Sequence, residues 1–181
     1  MSRGRLGAFL LIVAGFALLS RWVGDAPLAP PPLPANLVAD TGAPVADFTL
    51  PDLQGRARSS VEWRGRLVLL NFWATWCAPC REELPSLEAL HRALSSEGLA
   101  VVAVSLDGAA GDRVARFVAD AGVTFPMLHD PSRSLADRLG VRVYPTSVLL
   151  DRGGRVLRVV ESAWDWAHPD TQDRLRTLLA N

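Results

Sequence analysis

From about Asp40 onward, short apolar runs alternate with helical periodicities, and turn signals separate them. Phe48 to Leu50 and the segment after Gln54-Gly55 read as a small hairpin. After Arg64-Gly65, the stretch Leu67 to Trp73 is apolar throughout except at Asn71, the pattern of a central strand covered on both faces. Residues 78–96 place Leu84, Leu87, Leu90, His91 and Leu94 at helical spacing, and Leu99 to Leu106 is a second apolar strand. The helical pattern returns from Asp112 to Ala121, Phe125 to Leu128 reads as a short strand, and Pro131 to Leu139 as a short helix. Strands at Thr146 to Leu150 and Arg155 to Val160 flank the hairpin turn Arg152-Gly153-Gly154, and an amphipathic helix is predicted from Pro169. This alternation predicts one α/β domain over residues 40–181, a central mixed sheet flanked by helices.

The first forty residues carry a different pattern. Leu6 to Leu19 is an unbroken apolar or Gly run, preceded by Arg3 and Arg5 and followed by Ser20, Arg21 and Trp22. At 1.5 Å per residue this run and Ser20 span roughly 22 Å, short of a bilayer core of about 30 Å, which favours a cleavable signal. Cleavage, however, has no good place: the best small-x-small site ends at Ala26 and puts Pro27 directly after the cut. Arg5 and Arg21 can snorkel and Trp22 can anchor at the interface, which extends the run to a crossing. The expected organisation is a cytoplasmic tail at 1–5, a transmembrane signal anchor at 6–24 and a Pro-rich spacer at 25–39, with a cleaved signal as the alternative. Basic residues before the run orient the domain to the periplasmic side of the inner membrane, an oxidising compartment.

At 181 residues the chain has room for one domain and this appendage. A net charge of zero and a pI near 6.8 remove the electrostatic attraction on which nucleic-acid binding rests, so no nucleic-acid partner is expected.

The only two cysteines lie in Trp76-Cys77-Ala78-Pro79-Cys80, where the buried strand gives way to a helix. A thiolate at Cys77 there meets the unpaired N–H groups and positive end of the helix, which makes it a competent nucleophile near neutral pH. Pro79 suits the first turn, where a missing N–H costs nothing. Cys77 can then attack a client disulfide, and the more buried Cys80 resolves the mixed disulfide. A purely structural disulfide would close too small a loop to constrain the unfolded chain. Zinc is disfavoured because His91, His129 and His168 lack ligand spacing, and c-type haem attachment because Arg81, not His, follows Cys80. No cofactor is expected beyond the redox-active Cys77–Cys80 pair.

The segment Asn71-Phe72-Trp73-Ala74-Thr75-Trp76-Cys77-Ala78-Pro79-Cys80-Arg81-Glu82-Glu83-Leu84-Pro85 resembles the active-site segment of the TlpA/ResA branch of the thioredoxin superfamily. The resemblance runs from about Gly42 to the C-terminus and includes Tyr144-Pro145-Thr146, which is similar to the superfamily's cis-proline loop. It implies a thioredoxin-like fold with an N-terminal hairpin and an insertion between about Asp107 and Leu128. Pro145 would be cis and face the cysteines, beside a backbone that pairs with substrate, and Trp76, Pro79, Tyr144 and Pro145 would contact the client. Thioredoxins proper carry a buried Asp where this chain has Asn71. Glu83 resembles the acidic residue the family keeps beside its active site, and is expected to raise the Cys80 thiol pKa and shuttle its proton, unless it is a solvated surface acid. Trp73 and Trp76 would shield the disulfide, and Trp164-Asp165-Trp166 resembles a family signature, with core packing the expected role.

The family's reductases imply protein disulfide and dithiol partners, a membrane thiol transporter as electron donor, apocytochrome c among the clients, and a monomeric enzyme. No His lies between the cysteines, which favours reduction over oxidation. Two rivals stand beside this reading. A thioredoxin-fold peroxidase would have Thr three residues and Pro seven residues before its reactive Cys, where this chain has Ala74 and Leu70. A redox-inactive binding or chaperone module would need neither the CxxC pair nor Pro145.

Overall fold

The computed structural model describes residues 42–108 and 111–180. The expected tail, anchor and spacer lie outside the described residues, among which no helix is long and apolar enough to cross a membrane.

A two-stranded hairpin, β1 (Thr49–Pro51) and β2 (Ala57–Ser59), precedes the main sheet. The sheet holds β3 (Leu67–Trp73), β4 (Leu99–Ser105), β5 (Met127–His129), β6 (Thr146–Leu150) and β7 (Val156–Val160) in the order β5-β4-β3-β6-β7. β3, β4 and β5 are parallel, while β6 runs antiparallel to β3 and β7 antiparallel to β6. Helices α1 (Ala78–Leu94), α2 (Gly111–Asp120), α3 (Ser134–Arg138) and α4 (Pro169–Leu179) complete the domain. The result is a thioredoxin-like α/β fold whose α2 and β5 occupy the expected insertion between β4 and α3.

Strand β3 is buried at all seven positions because both faces are covered. Its side chains alternate, so Leu67, Leu69 and Trp73 join Leu84, Leu87, Leu90 and Leu94 of α1 and Leu175 and Leu179 of α4. Val68, Leu70 and Phe72 face the other way, onto Phe48 and Leu50 of the hairpin, Trp63 and the α3 residues Leu135 and Ala136. The same period turns Asn71, the one polar residue of the strand, towards α1.

Element ends differ from expectation for local reasons. The helix predicted over 78–96 stops at Leu94, and a 3-10 turn (Ser95–Glu97) leads to Gly98 at φ 108°, a conformation that strongly favours glycine. The helix predicted over 131–139 begins only at Ser134. The buried Asp130 carboxylate accepts the N–H groups of Ser134, Leu135 and Ala136, and so fixes the first turn there. β5 starts after Pro126, which has no N–H and pairs with Ala103 through its carbonyl alone. A 3-10 helix at Ser60–Trp63 was not predicted, although Ser59 and Glu62 form its capping box.

Candidate functional site

The chain leaves β3 at Trp73 and enters α1 through Ala74 to Cys77. Cys77 is the N-cap residue of α1, in extended conformation, and its Sγ accepts the N–H of Cys80 at 3.3 Å. Pro79 has no N–H to compete for that sulfur, so the first-turn donor aimed at Cys77 belongs to its own partner. The two sulfurs are joined in a disulfide. Cys77 is 7% and Cys80 1% exposed, so Cys80 is the deeper of the two.

Trp76, beside Cys77, is 67% exposed and meets the ring of Tyr144 edge-on at 5.8 Å. Tyr144 also lies under the Arg133 guanidinium, 5.4 Å from its centroid, and precedes the cis peptide bond to the buried Pro145. Exposed Trp76 and Val143 give this rim an apolar surface next to the disulfide. Pro79 and Arg81 are exposed on the first turn of α1. Trp73, by contrast, does not reach the surface: it is fully buried, stacks near Phe117 at 5.6 Å and donates its indole N–H to Met127 Sδ at 3.1 Å. It packs in the same core cluster as Cys77 and Cys80.

Glu83 is not a solvated surface acid. It is 3% exposed, and its carboxyl accepts hydrogen bonds from three sides. Oε2 accepts Asn71 Nδ2–H at 3.1 Å, and Oε1 accepts the backbone N–H of Trp164 at 3.2 Å and the indole N–H of Trp166. Burial opposes the charged form and pushes the Glu83 pKa up from 4.5 to about 7, with the bonds from Trp166, Asn71 and Trp164 pulling the other way. The Trp164-Asp165-Trp166 segment thus does more than pack; it supplies two of the three donors. Ser86, one turn along α1, donates its hydroxyl hydrogen to the Glu83 carbonyl at 2.8 Å, with the Trp164 carbonyl at 3.3 Å, and ties the same segment down by accepting the Trp166 N–H at 3.2 Å.

Asn71 also donates to Ser147 Oγ on β6 at 3.0 Å, while its Oδ1 is buried without a partner among the described residues. Turning that amide over would present Oδ1 to a protonated Glu83, so the same residue can accommodate the carboxyl with or without its proton. Glu83 lines an open cleft with Glu82, Ser86, Ala163, Trp164 and Asp165. Among the described residues no cluster of three His, Cys, Asp or Glu side chains is placed to hold a metal ion.

A disulfide at a helix N-cap, a cis-proline loop beside it and a buried acid one turn along the helix define a thioredoxin-fold thiol–disulfide exchange protein. The chain belongs to the AhpC/TSA family, whose model matches residues 41–159, and it is a thiol-disulfide oxidoreductase. It is 35% identical over 119 residues to the thiol-disulfide oxidoreductase ResA of Geobacillus thermodenitrificans, covering 66% of this chain and 68% of that protein. Its likeness to ResA of Halalkalibacterium halodurans is 30% over 152 residues, covering 84% and 80%. Among solved structures it resembles a secreted thiol-disulfide isomerase from Corynebacterium glutamicum, with TM-score 0.69, 29% identity and coverage of 76% of this chain and 86% of that one.

Glu83 also sets a pH dependence of stability. Between pH 4.5 and about 7 the folded protein keeps a proton that the unfolded chain has lost, so its stabilising contribution is complete below 4.5 and gone above about 7. The span corresponds to about 3 kcal/mol. Glu83→Gln keeps an acceptor for the tryptophans and removes the titration. Urea unfolding from pH 4 to pH 8 should therefore show the wild type losing about 3 kcal/mol relative to the variant, and parallel curves would exclude the raised pKa.

Proposed function

We propose that this oxidoreductase is a membrane-tethered, periplasmic disulfide reductase, with Cys77 as nucleophile and Cys80 as resolving thiol. The observation that carries the reading is the Cys77 sulfur at the N-cap of α1, accepting the Cys80 N–H at 3.3 Å. A negative sulfur there is favoured by that donor and by the helix N-terminus, and neither acts on Cys80, which is inside the first turn.

In the reduced enzyme the Cys77 thiolate attacks one sulfur of a client disulfide. A Cys77–client S–S bond forms, and the other client sulfur leaves as a thiolate that takes up a proton. Cys80 then loses its proton and attacks Cys77 Sγ; the internal disulfide forms, and the second client sulfur departs and is protonated. Two electrons pass from the pair to the client, which becomes a dithiol, and a donor dithiol restores the pair while being oxidised itself. Glu83, with its pKa near 7, is the group that accepts and returns the Cys80 proton. The exposed Trp76, the first-turn Pro79, Tyr144 and the Pro145 loop hold the client as an extended segment beside the disulfide.

Tethering by residues 6–24 keeps the domain at the membrane, where a thiol transporter can supply electrons and apocytochrome c is among the clients; the enzyme works as a monomer. The relatives named ResA support thiol exchange, and the secreted relative supports its taking place outside the cytosol. A peroxidase is disfavoured because Ala74 and Leu70 stand at the positions of its Thr and Pro.

Reduced Cys80→Ala protein mixed with insulin should accumulate a mixed disulfide through Cys77, read by mass, while Cys77→Ala protein forms none. Absence of the adduct together with no insulin reduction by the wild type under dithiothreitol would leave only a binding module. The proton role is read separately. Glu83→Gln should reduce insulin at least about tenfold more slowly at pH 7 and titrate its Cys80 thiol differently; an unchanged rate and titration would remove Glu83 from the mechanism.

A further inference from the structure

Asp107 follows β4 by two residues and is 4% exposed. Among the described residues no Arg or His forms an ion pair with it. Its carboxylate instead grips the turn that leads to the cysteines. Oδ2 accepts the Thr75 backbone N–H at 2.9 Å and Oδ1 accepts the Thr75 hydroxyl at 2.6 Å. Ser105 fixes the acid in turn, donating Oγ–H to Oδ2 at 2.9 Å and accepting the Asp107 N–H at 3.2 Å. From β5, His129 Nε2 approaches the Asp107 and Gly108 carbonyls at 2.7 and 3.1 Å. Both are acceptors, so this nitrogen carries the hydrogen and donates it.

Thr75 is two residues before Cys77, whose own N–H returns to the Ala74 carbonyl at 3.1 Å. The turn 74–77 is therefore closed on one side by its own backbone and on the other by Asp107. An amide in its place would keep one acceptor oxygen, for the Thr75 N–H and the Ser105 hydroxyl, and would have to donate to the Thr75 hydroxyl, whereas a buried carboxylate accepts all three bonds at the cost of a desolvated charge. The charge has an effect that the tether alone does not need: a nearby negative group opposes negative charge on sulfur, against the pull of the α1 N-terminus.

We propose that Asp107 is a positioning residue of the redox pair, holding the 74–77 turn against the end of β4 so that Cys77 caps α1, and disfavouring charge on the Cys77 sulfur so that the pair stays reducing. The inference rests on Cys77 being the exchanging thiol. It goes beyond that reading by assigning the poise of the pair to a residue thirty positions away in sequence.

The test uses the purified full-length chain and its Asp107→Asn and Thr75→Val variants. Cys77 is titrated by iodoacetamide alkylation of the reduced protein against pH, and the pair is equilibrated with glutathione. Asp107→Asn should lower the pH at which Cys77 becomes reactive and move the glutathione equilibrium about tenfold towards the dithiol, about 30 mV more oxidising for a two-electron couple. Thr75→Val removes only the hydroxyl bond and keeps the charge, so it should slow insulin reduction severalfold while leaving the equilibrium within about twofold of the wild type. Asp107→Asn with wild-type titration and equilibrium, or Thr75→Val with wild-type turnover, overturns the proposal, and Thr75→Val decides alone if the Asn variant does not fold. A wild-type chain that fails to exchange with glutathione sinks the underlying redox reading as well, which separates the two failures.

Discussion

The hydrogen bond from the Cys80 N–H to the Cys77 sulfur is the constraint around which this site is built. A helix begins with backbone donors that have no partner inside it, and here one of them ends on the atom that carries the chemistry. For that to happen the chain must pass from a fully buried strand to a helix within four residues, 74–77, with no freedom to drift. β3 is held between β4 and β6 over its length, and α1 is packed down by Leu84, Leu87, Leu90 and Leu94. Rigid elements on both sides thus fix the cap and the place of the Cys77 sulfur at it.

Two buried carboxylates bracket this arrangement from different elements. Glu83 lies three residues after Cys80 on α1, held by Asn71, Trp164 and Trp166, and its burial moves its titration into the working range of a proton carrier. Asp107 approaches from the end of β4 and reaches the turn before Cys77 through Thr75. Because Asn71 occupies the strand position and Glu83 the helix, the acidic group is on the element that also carries both cysteines. The exposed Trp76 and Val143, with Tyr144 between Trp76 and Arg133, leave an apolar rim where an extended client segment can lie.

Much of this was legible in the sequence because it depends on local pattern. The apolar run Leu67 to Trp73, the CxxC motif at its end and the heptad-like leucines after it place the strand, the turn and α1 within a residue or two. The cis bond at Pro145 followed from resemblance to the cis-proline loop. What local pattern could not supply were contacts closed across the fold. Glu83 is on a helix whose neighbours Arg81 and Glu82 are exposed, so its burial became visible only when the segment 163–166 folded over it. Trp164 and Trp166 read as packing residues because their hydrogen-bond partner is eighty residues distant. Asp107 marked no more than the start of an insertion, and the partner of the Trp73 indole N–H, Met127, is 54 residues away.

The claim that the helix cap selects Cys77 is tested most directly by brief, substoichiometric iodoacetamide treatment of the fully reduced chain at pH 7, followed by peptide mass mapping. The account predicts that Cys77 is modified at least about tenfold faster than Cys80. Equal modification of the two, or preference for Cys80, would contradict it.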